Sequence, residues 1–223
     1  MSDDIAAGMN TVTGSRPASG RFATHEALQE FYGPAADVGL RAHLTYIHEH
    51  YATFIRRSPF VVVGTSDVDG MPCVSPKGDA PGFATVIDQH TILLPDRPGN
   101  NQINGLHNLL DNPKISLLFM IPGIRETLRV KGLASIIADA DVAASCTARG
   151  KLPPVVLEIE VTDIYIHCGK ALIRSSLWNP ETRVERNEVP TIGKMFADQN
   201  SDLPISAAEG DALAERVYLE TLY

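Results

Sequence analysis

The 223-residue sequence is 44% hydrophobic and 21% charged, which suits one domain with appended segments better than two. Its net charge of −8 argues against a general nucleic-acid binder, because phosphate backbones select clustered Lys and Arg. Three scattered cysteines, Cys73, Cys146 and Cys168, form no CxxC pair, so neither a disulfide framework nor a structural zinc site is expected.

Residues 1–22 are small and polar and predict a loose arm. Asp3 and Asp4 stand where a signal peptide carries Lys or Arg, and no segment approaches ~18 consecutive apolar residues, so a soluble, cytoplasmic protein is expected. Thr24 is a candidate N-cap for a short helix carrying Leu28 and Phe31 on one face. Leu40, Leu44, Ile47, Tyr51, Phe54 and Ile55 recur at three- and four-residue steps and predict one helix over about 40–55, with Arg56 and Arg57 at its C-terminus. The rhythm then changes. Pro59–Thr65 is a β-branched apolar run expected to be covered on both faces. Asp69-Gly70 signals a hairpin into a short strand at Met71–Ser75. Further strands are expected at Phe83–Ile87, Thr91–Leu94, Lys114–Ile121, Glu126–Ile137 and Val155–His167. Short helices are expected near Asn100–Leu110, with Ile103, Leu106 and Leu110 on one face, and near Asp139–Arg149. Connections this short exclude βαβ crossovers. The expected fold is therefore mainly β with flanking helices, a small closed or split β-barrel of six or seven antiparallel strands. Residues 179–203 look irregular, and Ser206–Tyr223 reads as a final helix. The expected organisation is an arm and short helix at 1–37, the barrel at 38–178 and an extension at 179–223.

Four segments could carry chemistry. Val74-Ser75-Pro76-Lys77-Gly78-Asp79, at the end of a strand, offers a hydroxyl, a fixed backbone and a cation to the polar edge of a flat heterocycle. The same residues also describe an ordinary strand exit. Asp96-Arg97-Pro98-Gly99-Asn100-Asn101 precedes a helix, whose N-terminal N–H groups together with Arg97 suit a mononucleotide phosphate. Alternatively Asn100 or Asn101 simply caps that helix, with Arg97 paired to Asp96 or solvated. Arg125 and Arg129 are four apart and would share a strand face with an anion bound near Lys77, or pair instead with Glu158 and Glu160 on a neighbouring strand. His167, Cys168 and Lys170 close the last strand, with no carboxylate placed to orient the histidine. No GxGxxG, GxSxG, HExxH or EF-hand pattern occurs. His43, His48 and His50 lie on or near one predicted helix without a supporting cluster, and no metal site is expected there.

In order, SPKGD (75–79), LPDRPGNN (94–101), INGLHNLL with DNPKISLLF (103–119), RETLRVKG (125–132) and HCGKALIRSSLW (167–178) resemble the pyridoxamine 5′-phosphate oxidase-related flavoproteins. More narrowly, they are similar to a bacterial subgroup known as flavin-nucleotide-binding proteins. The resemblance covers about residues 38–200. It implies a split barrel that dimerises, with two FMN molecules in clefts between subunits. Val74, Ser75, Pro76 and Lys77 would then meet the ring and ribityl chain, with Asp79 beside them. Arg97, Asn100 and Asn101 would hold the phosphate region. Arg125, Thr127 and Arg129 would border the same cleft, with His167 and Lys170 arriving from the partner. The oxidases proper end in an Arg- and His-bearing segment, whereas this sequence ends EGDALAERVYLETLY, so FMN binding is expected and the oxidase activity itself is not. The expected function is an FMN-dependent oxidoreductase acting on a small molecule. The alternatives are a non-catalytic flavin-binding or redox-sensing protein, and a haem-handling split barrel using a histidine such as His167.

Overall fold

The computed structural model describes residues 12, 14–35, 37–200 and 202–223, so most of the predicted arm lies outside the described residues. Residues 1–44 and 45–223 form two compact units. In the first, helix α1 (His25–Tyr32) starts as the sequence predicts, with the Thr24 hydroxyl accepting the Ala27 N–H at 3.2 Å. Phe22 packs against Phe31 with ring centroids 5.0 Å apart. The single turn α2 (Asp37–Arg41) carries an ion pair between its first and last residues.

The helix predicted over 40–55 is broken. Residues 42–48 are non-helical, and α3 spans Glu49–Arg57. The cause is tertiary. Ile47 is 4% exposed and its N–H donates to Gln89 O at 2.7 Å, a bond that a continuous helix would have spent on its own backbone. His48 then starts α3, its Nδ1 accepting the His50 N–H.

The second unit is built on seven antiparallel strands: β1 (Phe60–Ser66), β2 (Pro72–Gly78), β3 (Thr85–Val86), β4 (Thr91–Asp96), β5 (Lys114–Met120), β6 (Thr127–Ile137) and β7 (Val155–His167). Their order is β2-β1-β5-β6-β7-β4-β3. Strand β2 runs three residues further than predicted, pairing with β1 from Ser66↔Pro72 to Phe60↔Gly78. Ser75, Pro76 and Lys77 therefore sit inside a strand rather than in an exit loop. Pro72 and Pro76 offer no N–H to a neighbour, which suits β2 to the sheet edge it occupies. At the other edge, β3 covers only Ile92 and Leu93 of β4, leaving Leu94, Pro95 and Asp96 without a strand on that side.

Val61, Val63, Ile92, Leu94, Phe119 and Leu128 fill the interior, each no more than 5% exposed. Ser58, fully buried between α3 and β1, donates its hydroxyl to Met120 O at 2.6 Å and so ties β1 to β5. Strand β1 is buried on its Val61 face and half-covered on its Val62 face, so the expectation of two covered faces is corrected. Short helices α4 (Asn104–Asp111), α5 (Ala140–Ser145) and α6 (Lys170–Arg174) flank the sheet. On α4 Leu109 is the buried residue and Leu110 is 74% exposed, which shifts the predicted apolar face by one position. Residues 179–203, expected to be irregular, contain helix α7 (Ile192–Gln199), which packs on α8 (Ala207–Thr221). A Cβ on Gly193 would stand 2.2 Å from Ala207 O, so glycine permits that crossing, and the Asp211 carboxylate accepts the Gly193 N–H at 2.8 Å.

Candidate functional site

A cavity of about 610 Å³ opens where the β2 edge faces the uncovered end of β4. That volume lies within the ~300–1,000 Å³ typical of small-molecule and cofactor sites. Alternate residues of a strand point to opposite faces, yet Val74, Ser75, Pro76 and Lys77 all line the cavity. They can do so because β2 has no neighbour on that side, leaving its backbone edge and both faces open to the cleft. The floor comes from Val63 and Thr65 of β1 and from Val155 and Leu157 of β7. The segment from Pro95 to Leu106, which includes Arg97, Asn100 and Asn101, forms the far wall.

Two ion pairs bridge the gap between β2 and β4. Lys77 pairs with Asp96, and Arg97 Nε donates to Asp79 Oδ2 at 2.8 Å. The second pair is well shielded, with side-chain exposures of 15% for Arg97 and 4% for Asp79. Side chains thus link two strands whose backbones do not pair. Arg97 Nη1 also donates to Cys146 O at 3.0 Å, at the end of α5, where exposed carbonyls favour a cation. Among the described residues, that leaves Nη2 as the donor without a protein acceptor. Arg97 is paired with Asp79 and not with Asp96, contrary to the simple capped-helix alternative.

Burial works against the Asp79 carboxylate, but bonds from the Tyr223 hydroxyl, the Ala80 N–H and Arg97 outweigh it and hold its pKa below the ordinary value of 3.8. Tyr223 moves the opposite way. Its bond to Asp79, then desolvation and the Asp79 charge, push its pKa above 10.0, against the pull of Arg149 and Arg97.

Neither Asn100 nor Asn101 caps the following helix. The Asn100 side chain accepts the Gln102 N–H at 3.0 Å, Asn101 adopts φ 58°, and α4 starts after Ile103 without a side-chain cap. Leu106 and His107 are the first residues of the helix to return N–H groups to Ile103 O, so the Asn104 and Gly105 N–H groups stand uncapped at the cavity wall. Gly99 has open space around it, so a ligand could approach its backbone.

The remaining predicted residues collect elsewhere on the same chain. Cross-strand partners share a face, and the pairings Pro76↔Val62, Val62↔Leu118, Leu118↔Arg129 and Arg129↔Tyr165 place Arg129 on the outward face. It lies three strand spacings from Pro76, about 14 Å at ~4.8 Å each. Thr127 pairs with His167, and the Tyr165 hydroxyl stands 3.4 Å from Arg129 Nη1. Arg125 precedes β6 instead of opening it, so the four-residue face argument does not apply to it. It packs on Gly169, where a Cβ would stand 2.8 Å from Arg125 Cβ, and exposed Lys170 begins α6. Glu158 and Glu160 face Ser135 and Leu133, so they do not pair with these arginines. Within one chain, Arg125, Thr127, Arg129, His167 and Lys170 are absent from the cavity lining.

The sequence did not point to Asp96 as the Lys77 partner, nor to Leu222 and Tyr223 on the cavity wall. The crossed order Lys-x-Asp and Asp-Arg could have suggested the ion pairs; nothing in the sequence signals Tyr223. All three cysteines are free thiols; Cys73 lines the cavity, while Cys168 is exposed. Outside the cleft, ligand atoms of His48, Glu49 and His50 lie within 4.8 Å of one another, though His48 Nδ1 is engaged as the α3 cap. Among the described residues, no helix is long and apolar enough to cross a membrane.

The family model for pyridoxamine 5′-phosphate oxidase matches residues 47–168, more than half of the chain. The chain belongs to that family. Its split-barrel members share the antiparallel sheet and flanking helices found here. No curated protein matches the chain. Among solved structures, tagged HupZ of Group A Streptococcus is 22% identical, over 54% of this chain and 93% of that one, with a TM-score of 0.44. An FMN-binding protein from Syntrophomonas wolfei is 12% identical over 52% of this chain and 84% of that one, with a TM-score of 0.40. HutZ, the heme storage protein from Vibrio cholerae, is 16% identical over 55% and 94%, with a TM-score of 0.40.

Proposed function

We propose that this family member binds FMN in the cleft between β2 and the 95–106 segment and works as a homodimeric FMN-dependent oxidoreductase on a small molecule. The observation that carries the reading is the combination of an open Arg97 Nη2 with the uncapped N–H groups of α4, both at one wall of a cofactor-sized cavity. These groups fit a phosphate monoester. Ser75 and the β2 edge fit the polar rim of a flat ring, and Val63, Val74 and Leu157 its apolar face. A bound flavin supplies hydride or electron chemistry that no side chain provides. The residues then bind, orient and screen. Lys77 places a cation near the ring while Asp96 moderates its charge, and Val63, Leu109 and Leu157 keep water from that end.

A second copy is the proposed partner. The outward face of β1, β2 and β5 presents Phe60, Val62, Val74, Leu118 and Met120, an apolar surface that a sheet ordinarily buries against another layer. Val74 belongs both to this face and to the cleft. A copy docked there would bring its own Arg129, Thr127 and His167 towards the Ser75, Lys77 and Arg97 of the first.

The test is the absorbance of freshly purified protein, chromatography of any released chromophore, and titration of FMN into wild type and Arg97→Ala. The expected outcome is a yellow protein releasing FMN, with affinity lost by roughly 1.5–3 kcal/mol in the variant. An unchanged Kd in Arg97→Ala would sink the phosphate assignment. Reduction of the bound flavin by NADH or NADPH distinguishes an oxidoreductase from a non-catalytic flavin binder. A Soret band that appears on haem addition and disappears in His167→Ala would instead favour haem handling.

A further inference from the structure

Tyr223 is far from the cleft in sequence and part of it in space. Its hydroxyl donates to Asp79 Oδ1 at 2.7 Å across 144 positions of chain. The Arg149 guanidinium lies 4.6 Å from its ring centroid, and its main-chain oxygen accepts from Lys151 Nζ at 2.5 Å. Arg149 is held for this contact in a turn closed by the Ala148↔Lys151 bridge, with φ at 49°. Leu222 and Tyr223 both line the cavity. Helix α8, which leads to them, buries none of its own residues and packs chiefly on α7. Three contacts from two separate elements therefore converge on Tyr223, in a segment otherwise lightly attached.

The bonding of Asp79 shows what these contacts do. Oδ1 accepts the Ala80 N–H and the Tyr223 hydroxyl, while Oδ2 accepts Arg97 Nε. A free carboxylate beside an arginine prefers the two-pronged pairing that engages both Nε and Nη2. With Oδ1 occupied by Tyr223, Asp79 makes a single-pronged contact and Nη2 is left open. We propose that Tyr223 is a positioning residue of the cleft: by occupying Asp79 it keeps Arg97 Nη2 available to an anionic ligand, so ligand affinity depends on the docking of Tyr223. The proposal rests on the assignment of the cleft as a mononucleotide site.

The test uses the full chain and the conservative variant Tyr223→Phe, which keeps the ring over Arg149 and removes only the hydroxyl. Two readouts separate the proposal from the assignment on which it rests. The first needs no ligand: the NMR signals of the Arg97 guanidinium, assigned with Arg97→Lys, are compared in wild type and variant. The expected result is a changed Arg97 Nε–H signal as Asp79 turns to grip both prongs. The second is FMN titration, where the variant is expected to bind about 3–10-fold more weakly, a part of what a charged hydrogen bond is worth. FMN affinity equal to or tighter than wild type in Tyr223→Phe overturns the proposal. If wild type binds no FMN, the flavin assignment falls, and the Arg97 signals alone decide. Identical signals in both proteins then overturn the positioning role.

Discussion

The Asp79–Arg97 pair makes the strongest energetic claim in this structure. Asp79 is 4% and Arg97 15% exposed at the side chain, so water can replace little of what either partner loses. Removing one member of a shielded pair strands the other charge, which typically costs ~3–5 kcal/mol, against ~0–1 kcal/mol for a pair on the surface. In Arg97→Ala, the stranded Asp79 keeps the Ala80 N–H and the Tyr223 hydroxyl, which places the loss at the lower bound, about 3 kcal/mol. Urea unfolding at neutral pH, followed by the fluorescence of Trp178, the single tryptophan, measures this directly. At an m-value of ~2 kcal/mol/M the midpoint falls by about 1.5 M. Replacing both partners together, as Asp79→Leu with Arg97→Met, is expected to recover much of the loss, because no charge is then left buried. A loss below ~1 kcal/mol in Arg97→Ala would show instead that the pair behaves as a solvated one.

Lys77→Ala, which breaks the more exposed pair with Asp96, is expected to lower stability by about 1 kcal/mol in the same urea assay, clearly less than Arg97→Ala. Gly193→Ala forces a Cβ into the α7–α8 crossing and should destabilise that helix pair by ~1–3 kcal/mol, read as faster amide exchange in residues 192–221 with less effect on the barrel strands. For pH, the depressed Asp79 pKa adds stability above its ordinary value of 3.8 that is lost as acid titrates the folded carboxylate, while the raised Tyr223 pKa adds stability below 10.0 that is lost as alkali titrates the folded phenol. Both contributions are complete between these limits, and Tyr223→Phe should flatten the alkaline fall in the urea midpoint; an unchanged alkaline limb would show that the contact contributes nothing.

Much of the barrel was legible because strand patterning is local. Alternation in Val155–His167 gave both bounds of β7, and Leu128, Val130 and Ala134 of β6 face inward as their spacing demands. Thr24 caps α1 as expected, because cap chemistry is decided within three residues. Half of the cleft could be read in the same way, as the Ser75–Lys77 and Arg97–Asn101 segments carry their polar groups together. Strand spacing suggested an anion shared between Arg129 and Lys77, and the resemblance added His167, but a single chain sets both Arg129 and His167 on the outward face.

Local elements were readable without the fold: alternation of period two, caps and turns are each fixed by neighbours a few residues away. Folding settled the rest, through partners distant in sequence. Ile47 leaves a helical pattern because Gln89 accepts its N–H. Pro72 and Pro76 are tolerated in β2 because it lies at an edge. Asp79 meets both Arg97 and Tyr223 because the sheet curls until β2 faces β4. Local patterning carries no record of such encounters, since each depends on how the sheet closes and not on the residues beside it.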